Sequence, residues 1–130
     1  LRDISLSSQV IGDSIPDLLG GFSLQTKSGA VTDARGIRML PMLAYLLPVE
    51  TFTPRAERSA ALMSMLLAAR FTTQLTTTQE RAGRFANPTK ATGGVRSSVW
   101  DATMKPEATA MALIGITEAI QAMNRVAQGQ

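Results

Sequence analysis

The residues best suited to chemistry in this chain lie between Gln79 and Trp100. Arg81, Arg84, Lys90 and Arg96 fall there with no acid after Glu80, and Phe85 and Trp100 lie close by in sequence. Guanidinium groups pair with carboxylates and phosphates through two parallel hydrogen bonds, and an indole offers a face on which a ligand can stack. Arg81, Arg84, Lys90, Arg96 and Trp100 are therefore the candidate ligand-binding set, and an anion is the expected ligand. The competing reading is a solvated loop whose Phe85 and Trp100 anchor it to a core.

Catalysis finds little support in the residue types. The chain has no His and no Cys, which removes thiol chemistry, disulfides, imidazole bases and zinc sites built on nitrogen or sulfur. Ser97-Ser98 follow a glycine pair but have no partner base at a recognisable spacing. Asp13 and Asp17 have helical spacing and read as cap and first-turn residues. Gly93-Gly94-Val95-Arg96 lacks the Gly-Lys-Ser/Thr ending of a phosphate loop. No catalytic residue, metal site or cofactor is expected. The net charge of +3, with ten Arg among thirteen bases, is too thinly spread to indicate specific nucleic-acid binding.

These residues need a scaffold, and the composition points to helices. The chain is 130 residues long, 45% hydrophobic and 18% charged, which suits one ordinary domain (residues 1–130). Ala, Leu and Met fill the apolar positions in place of aromatics, and they lose little side-chain freedom in a helix. The apolar run 39–49 is broken by Pro41 and Pro48 and falls short of the roughly 20 residues that span a bilayer. Leu1 leads the chain without a signal-peptide pattern, as in a processed chain or a piece of a longer one.

Residues 1–31 read as an irregular arm and loop, and 32–130 as a helical core. In the arm, Ile4 and Leu6 alternate as in a weak strand. Asp13 or Ser14 is a cap for a short turn with Pro16 early in it. Lys27-Ser28-Gly29 is the turn of a loop or hairpin over 22–31. Thr32-Asp33 opens a helix over 34–47, with a kink or late start imposed by Pro41. Thr53 caps a second helix with Pro54 at its first position, and this helix ends within the threonines of 72–78. Gln79–Trp100 is a long connection with an extended piece at 95–100. Pro106 opens the last helix, which Gly129 stops. In its second half Leu113, Ile116, Ile120, Met123 and Ala127 are expected to face inward, away from Thr117, Glu118, Gln121, Asn124, Arg125 and Gln128.

Two segments, 60–69 and 108–116, are apolar nearly all round, which predicts burial on every side and hence neighbours beyond a lone bundle. Met63, Met65, Met111 and Met123 suit core gaps. The candidate interface is Met39, Met42 and Tyr45 on the Pro-kinked helix, with Leu62, Leu66 and Met111 on the two apolar segments.

A weak internal repeat is also visible. Gly20-Gly21-Phe22-Ser23 resembles Gly93-Gly94-Val95-Arg96-Ser97, and each pair precedes a long helix, one capped by Asp33 and one opened by Pro106. Pro54 and Pro106 likewise each open an Ala/Leu/Met-rich segment. Recurrence at such intervals is the mark of stacked supersecondary units.

The pattern Gly93-Gly94-Val95-Arg96, a loop, then TAMALIGITEAI resembles the repeat of α/α-toroid proteins, the architecture of terpenoid cyclases and protein prenyltransferases. The resemblance covers roughly residues 35–128. It implies a partial toroid of helical hairpins, since a full one has many more helices than this chain can hold. The family's acid motifs, metal motif and zinc set are absent. The expected fold is mostly α, with three or four helices and long loops. The expected function is a non-catalytic helical-repeat binding or assembly module that packs on a protein partner or on copies of itself. Two alternatives stay open: a fragment of an α/α-toroid enzyme acting on an isoprenoid or polysaccharide, and a self-assembling structural protein.

Overall fold

The computed structural model describes residues 9–12 and 15–129. The alternation at Ile4 and Leu6 and the caps proposed at Asp13 and Ser14 lie outside the described residues. Helix accounts for 56% of those residues, and a two-stranded sheet accompanies it.

Three long helices dominate, as the apolar periodicity predicts. They are α1 (Met39–Leu46), α2 (Arg58–Leu75) and α5 (Pro106–Ala127). Single-turn helices α3 (Gln79–Ala82) and α4 (Pro88–Ala91) interrupt the long connection, capped by the Thr78 and Asn87 side chains. The hairpin is real: β1 (Ser23–Thr26) pairs antiparallel with β2 (Gly29–Thr32).

Asp33 caps as expected, accepting from the Arg35 amide at 2.9 Å. It opens a 3₁₀ segment, Ala34–Arg38, and the α-helix proper begins only at Met39. Pro41 thus falls in the first α-turn, where its missing N–H matters least. The cap proposed at Thr53 is corrected. Its hydroxyl donates to the Leu46 carbonyl at 2.8 Å, closing the end of α1, and Pro54 precedes a 3₁₀ turn over Arg55–Glu57. A buried threonine here satisfies a carbonyl that α1 leaves open.

The core has two parts. One gathers Phe22, Leu40, Leu43, Leu47, Met65, Ala119 and Ala122 between α1, α2 and α5. The other joins Ile37, Phe71, Leu75, Val95 and Ala112 where the 3₁₀ segment 34–38 and the 93–96 segment meet α2 and α5. Helix α1 packs most closely on α5. A Cβ at Gly115 would stand 3.0 Å from the Leu40 side chain and 3.2 Å from the Pro41 ring, so glycine sets how near these helices lie.

The inward face of α5 departs from the expected one. Ala112, Gly115, Ala119 and Ala122 are buried, whereas Leu113 and Ile120 are exposed, as are Ile114 and Ala127. Ile116 and Met123 are partly buried. Small residues win the inner face because they let backbones approach, and the larger side chains are displaced outward. Burial on every side is likewise corrected for 60–69. Met65 is fully buried, but Met63 and Leu66 are exposed. Ser64, the one polar residue there, faces inward and bonds a buried Gln9: its hydroxyl donates to Gln9 Oε1 at 2.6 Å, and Gln9 Nε2 donates to the Ser64 carbonyl at 2.8 Å.

The two glycine pairs share one hydrogen-bond pattern. The Gly20 amide donates to the Val10 carbonyl, and the Val10 amide to the Gly21 carbonyl, both at 2.8 Å. The Gly93 amide donates to the Thr77 carbonyl, and the Thr77 amide to the Gly94 carbonyl, also at 2.8 Å. Each pair then leads into a buried apolar residue that bridges the residue preceding its partner: Phe22 to Gln9, and Val95 to Thr76. Each continues into a second antiparallel pairing, Ser23 with Thr32 and Arg96 with Met104. The next residues, Asp33 and Lys105, are the N-caps of the helical segments that follow.

Candidate functional site

The end of α2 explains much of the basic cluster. A helix leaves its last four carbonyls without intrahelical partners. Here the Thr72 carbonyl accepts from the Thr76 amide and hydroxyl, and the Thr73 carbonyl also accepts from the Thr76 amide. The Leu75 carbonyl accepts from the Arg96 amide at 3.0 Å. The Gln74 carbonyl receives Arg96 Nη2 at 2.9 Å and, more weakly, Arg81 Nη1 at 3.4 Å. Two guanidinium groups thus converge on the negative end of a long helix, where cations are favoured.

These arginines line a cavity of about 550 Å³ with Arg84, Phe85, Val99, Ala102, Thr77 and Gln74. Its one acid is Asp17, which accepts from Gln74 Nε2 at 3.2 Å. Three cations against one carboxylate leave the lining positive. The Arg84 guanidinium makes no hydrogen bond or ion pair among the described residues, whereas the Arg81 and Arg96 side chains both cap α2. The buried Thr77 hydroxyl has no hydrogen-bond partner among the described residues.

Of the five sequence candidates, three meet in this cavity: Arg81, Arg84 and Arg96. Lys90 lies apart on α4, and Trp100 is 74% exposed in the following loop. Trp100 is therefore no core anchor. Ser97 and Ser98 serve the loop. Ser97 Oγ donates to the Thr103 carbonyl at 2.7 Å, and Ser98 Oγ accepts from the Trp100 and Asp101 amides.

A second groove, of about 460 Å³, carries both signs of charge: Asp33, Arg35, Arg38, Asp101, Lys105 and Glu107. Burial alone raises the Asp33 carboxyl, but the side-chain and backbone hydrogen bonds from Arg35 outweigh it and hold the group below its ordinary value. The Arg35 guanidinium is correspondingly raised by the same Asp33 contact, closed at 2.7 Å. Asp101 is lowered by its hydrogen bonds with Thr103. Acids and bases neutralise one another here, so the groove gives no ligand of one sign a preference. Among the described residues no group of acids could hold a metal ion, and no helix is long and apolar enough to cross a membrane.

The proposed interface residues divide. Met39 and Leu62 pack on the larger core cluster and Met111 on the smaller, while Met42 is half-buried. Tyr45 is 67% and Leu66 39% exposed. The most prominent apolar surface is one that periodicity placed inside: Leu113, Ile114 and Ile120 on α5, exposed by 71%, 51% and 50%. Leu113 and Ile120 are seven residues apart and share a face. Thr117 lies between them with its hydroxyl turned back to the Leu113 carbonyl at 2.8 Å. The sequence signal for this outward face was the opposite stripe, Ala112, Gly115, Ala119 and Ala122, whose 3–4 spacing marks a close helix contact.

No family model, curated protein or solved structure matches the chain.

Proposed function

We propose that this chain is a non-catalytic helical-repeat module whose task is assembly, and that it packs against further helical protein through the outer face of α5. The observation that carries this is the row Leu113, Ile114 and Ile120, three large aliphatic side chains at least half exposed on one helix. Single exposed leucines are ordinary, but a clustered aliphatic face is the mark of an interaction surface. Covering such side chains stabilises a contact by about 1.5–3 kcal/mol each when burial is complete. The two matching Gly-Gly turns, each followed by a helix, support the repeat character and the partial α/α-toroid resemblance.

Sedimentation velocity tests this. Wild-type chain is expected to self-associate with rising concentration, because an uncovered face finds its own kind. The double variant Leu113→Glu, Ile120→Glu is expected to be a folded monomer. A wild type that stays monomeric at millimolar concentration, with the solubility of the variant, overturns the proposal.

A second reading rests on Arg84, whose charge has no partner among the described residues while its neighbours cap α2. The cavity around it suits a small anion. Inorganic phosphate titrated into the chain is expected to shift the NMR signals of residues 77–99, and Arg84→Ala to weaken that binding about tenfold with little loss of stability. Unchanged phosphate binding in Arg84→Ala discards the site.

A further inference from the structure

We infer that the cavity at the end of α2 takes a small phosphate monoester, its phosphate held by Arg84 and the Thr77 hydroxyl and its apolar body laid against Phe85 and Val99. The inference rests on the anion reading of that cavity and names the class of the anion.

Charge comes first. Arg81, Arg84 and Arg96 against Asp17, three positive groups and one negative, leave the lining at a formal +2. A phosphate monoester carries about −1.5 to −2 near neutral pH and balances this, whereas a carboxylate leaves a positive charge over. Two of the cations are also drawn together. Arg81 Nη1 and Arg96 Nη2 both donate to one oxygen, the Gln74 carbonyl, at 3.4 Å and 2.9 Å. A neutral carbonyl does not cancel two guanidinium charges brought to the same atom, and a dianion beside them would. Both groups have donors to spare: a guanidinium offers five N–H, and the bonds to the Gln74 and Val99 carbonyls use only a part of them. Those bonds hold the two side chains in place beforehand, so less freedom is lost on binding. The Arg84 guanidinium, which has no such bond, can close on the phosphate as a fork.

Thr77 supplies an independent observation. It is 2% exposed and lines the same cavity. Its amide donates to the Gly94 carbonyl and its carbonyl accepts from the Gly93 amide, both at 2.8 Å, so its backbone is committed. Its hydroxyl has no partner among the described residues. An unpaired buried hydroxyl destabilises a fold, and a phosphate oxygen is the acceptor it lacks.

Size and wall define the rest of the ligand. The cavity, about 550 Å³, falls within the roughly 300–1,000 Å³ of small-molecule pockets and exceeds what a bare phosphate fills. Phe85, Val99 and Ala102 form an apolar side on which a ring can lie. Asp17 disfavours a second anionic group, which selects a monoester over a polyphosphate.

Calorimetric titration of the whole chain tests this, above the second phosphate pKa of about 6. Phenyl phosphate, inorganic phosphate and benzoate are the probes. Phenyl phosphate is expected to bind at least about fivefold more tightly than either of the others. Thr77→Val keeps the side-chain shape and should weaken phenyl phosphate about tenfold without lowering the unfolding midpoint of the free protein. Thr77→Ser, which keeps the hydroxyl, should retain binding. Phe85→Ala should weaken phenyl phosphate and leave inorganic phosphate unchanged. Benzoate binding as tightly as phenyl phosphate overturns the monoester, and so does unchanged binding in Thr77→Val. A lowered midpoint in Thr77→Val means that the hydroxyl is already bonded in the free protein, and also overturns the inference. If inorganic phosphate binds through Arg84 as tightly as phenyl phosphate, the anion reading stands and only this inference falls. If neither phosphate binds, both fall.

Discussion

Gly20→Ala is expected to be among the most destabilising single changes in this chain, lowering unfolding free energy by about 4 kcal/mol. Two causes act at once. Gly20 has φ of +91°, a conformation an L side chain rarely adopts. A Cβ there would also stand 1.8 Å from the Leu67 carbonyl oxygen, so the turn or helix α2 must move. Moving the turn strains the bonds that tie the arm to α2, because Gln9 Nε2 donates both to the Gly20 carbonyl at 3.0 Å and to the Ser64 carbonyl. A domain of this size has roughly 5–15 kcal/mol of stability, so the loss is a large fraction of it. Urea unfolding followed by circular dichroism measures it. Gly83→Ala is the control: its φ is −59° and nothing lies within 4 Å of the added methyl, so it should be neutral or slightly stabilising. A Gly20→Ala variant within about 1 kcal/mol of wild type would refute this account of the turn.

Phe71→Ala is expected to cost about 3–5 kcal/mol, the range for deleting a buried aromatic ring. Phe71 is 2% exposed and belongs to the smaller core cluster with Ile37, Leu75, Val95 and Ala112, where pieces of both Gly-Gly units meet α2 and α5. Its ring shares the restriction at Gly21 with the Thr32 methyl: a Cβ there would stand 2.5 Å from Thr32 Cγ2 and 3.0 Å from two ring atoms. The sites should therefore couple. Gly21→Ala should cost clearly less in the Phe71→Ala background than in wild type, by about 0.5–3 kcal/mol in a double-mutant cycle. Additive costs would mean that the ring does not restrict Gly21.

Helix positions were largely legible in the chain because their signals are local. Pro106, the thinning at Thr72–Thr78 and the Asp33 cap each act within one turn, and α5, α2 and the 3₁₀ start at Ala34 follow from them. The delay of α1 until Met39 follows from the geometry of Pro41. Thr53 departs from the expected cap for an equally physical reason. A threonine before a proline matches an N-cap pattern, and only the fold shows that the Leu46 carbonyl lies within reach of its hydroxyl.

The candidate sites divide along the same line. Charge spacing in the sequence identified Arg81, Arg84 and Arg96 as a cluster. It did not show that Arg81 and Arg96 answer the Gln74 carbonyl, since those bonds depend on how the chain turns back over 7 and 22 residues. Periodicity likewise identified α5 as apolar, but two of its faces were credible inner faces. Hydrophobicity alone favours the larger side chains for burial, whereas close helix packing favours the smaller ones. The contact of Leu40 and Pro41 with Gly115 decided it, leaving Leu113, Ile114 and Ile120 outside.

By itself, then, the sequence determined that this protein is mostly helical, where its three long helices run, and that it lacks the residues for thiol and imidazole chemistry. Those properties follow from side-chain entropy, backbone restriction and residue identity, which act locally. Tertiary structure alone decided which face of α5 is hidden, which arginine of the 81–96 cluster has no side-chain partner among the described residues, and that two glycine pairs make the same turn. Each of these depends on distances between residues far apart in the chain, and such distances exist only once the helices have packed.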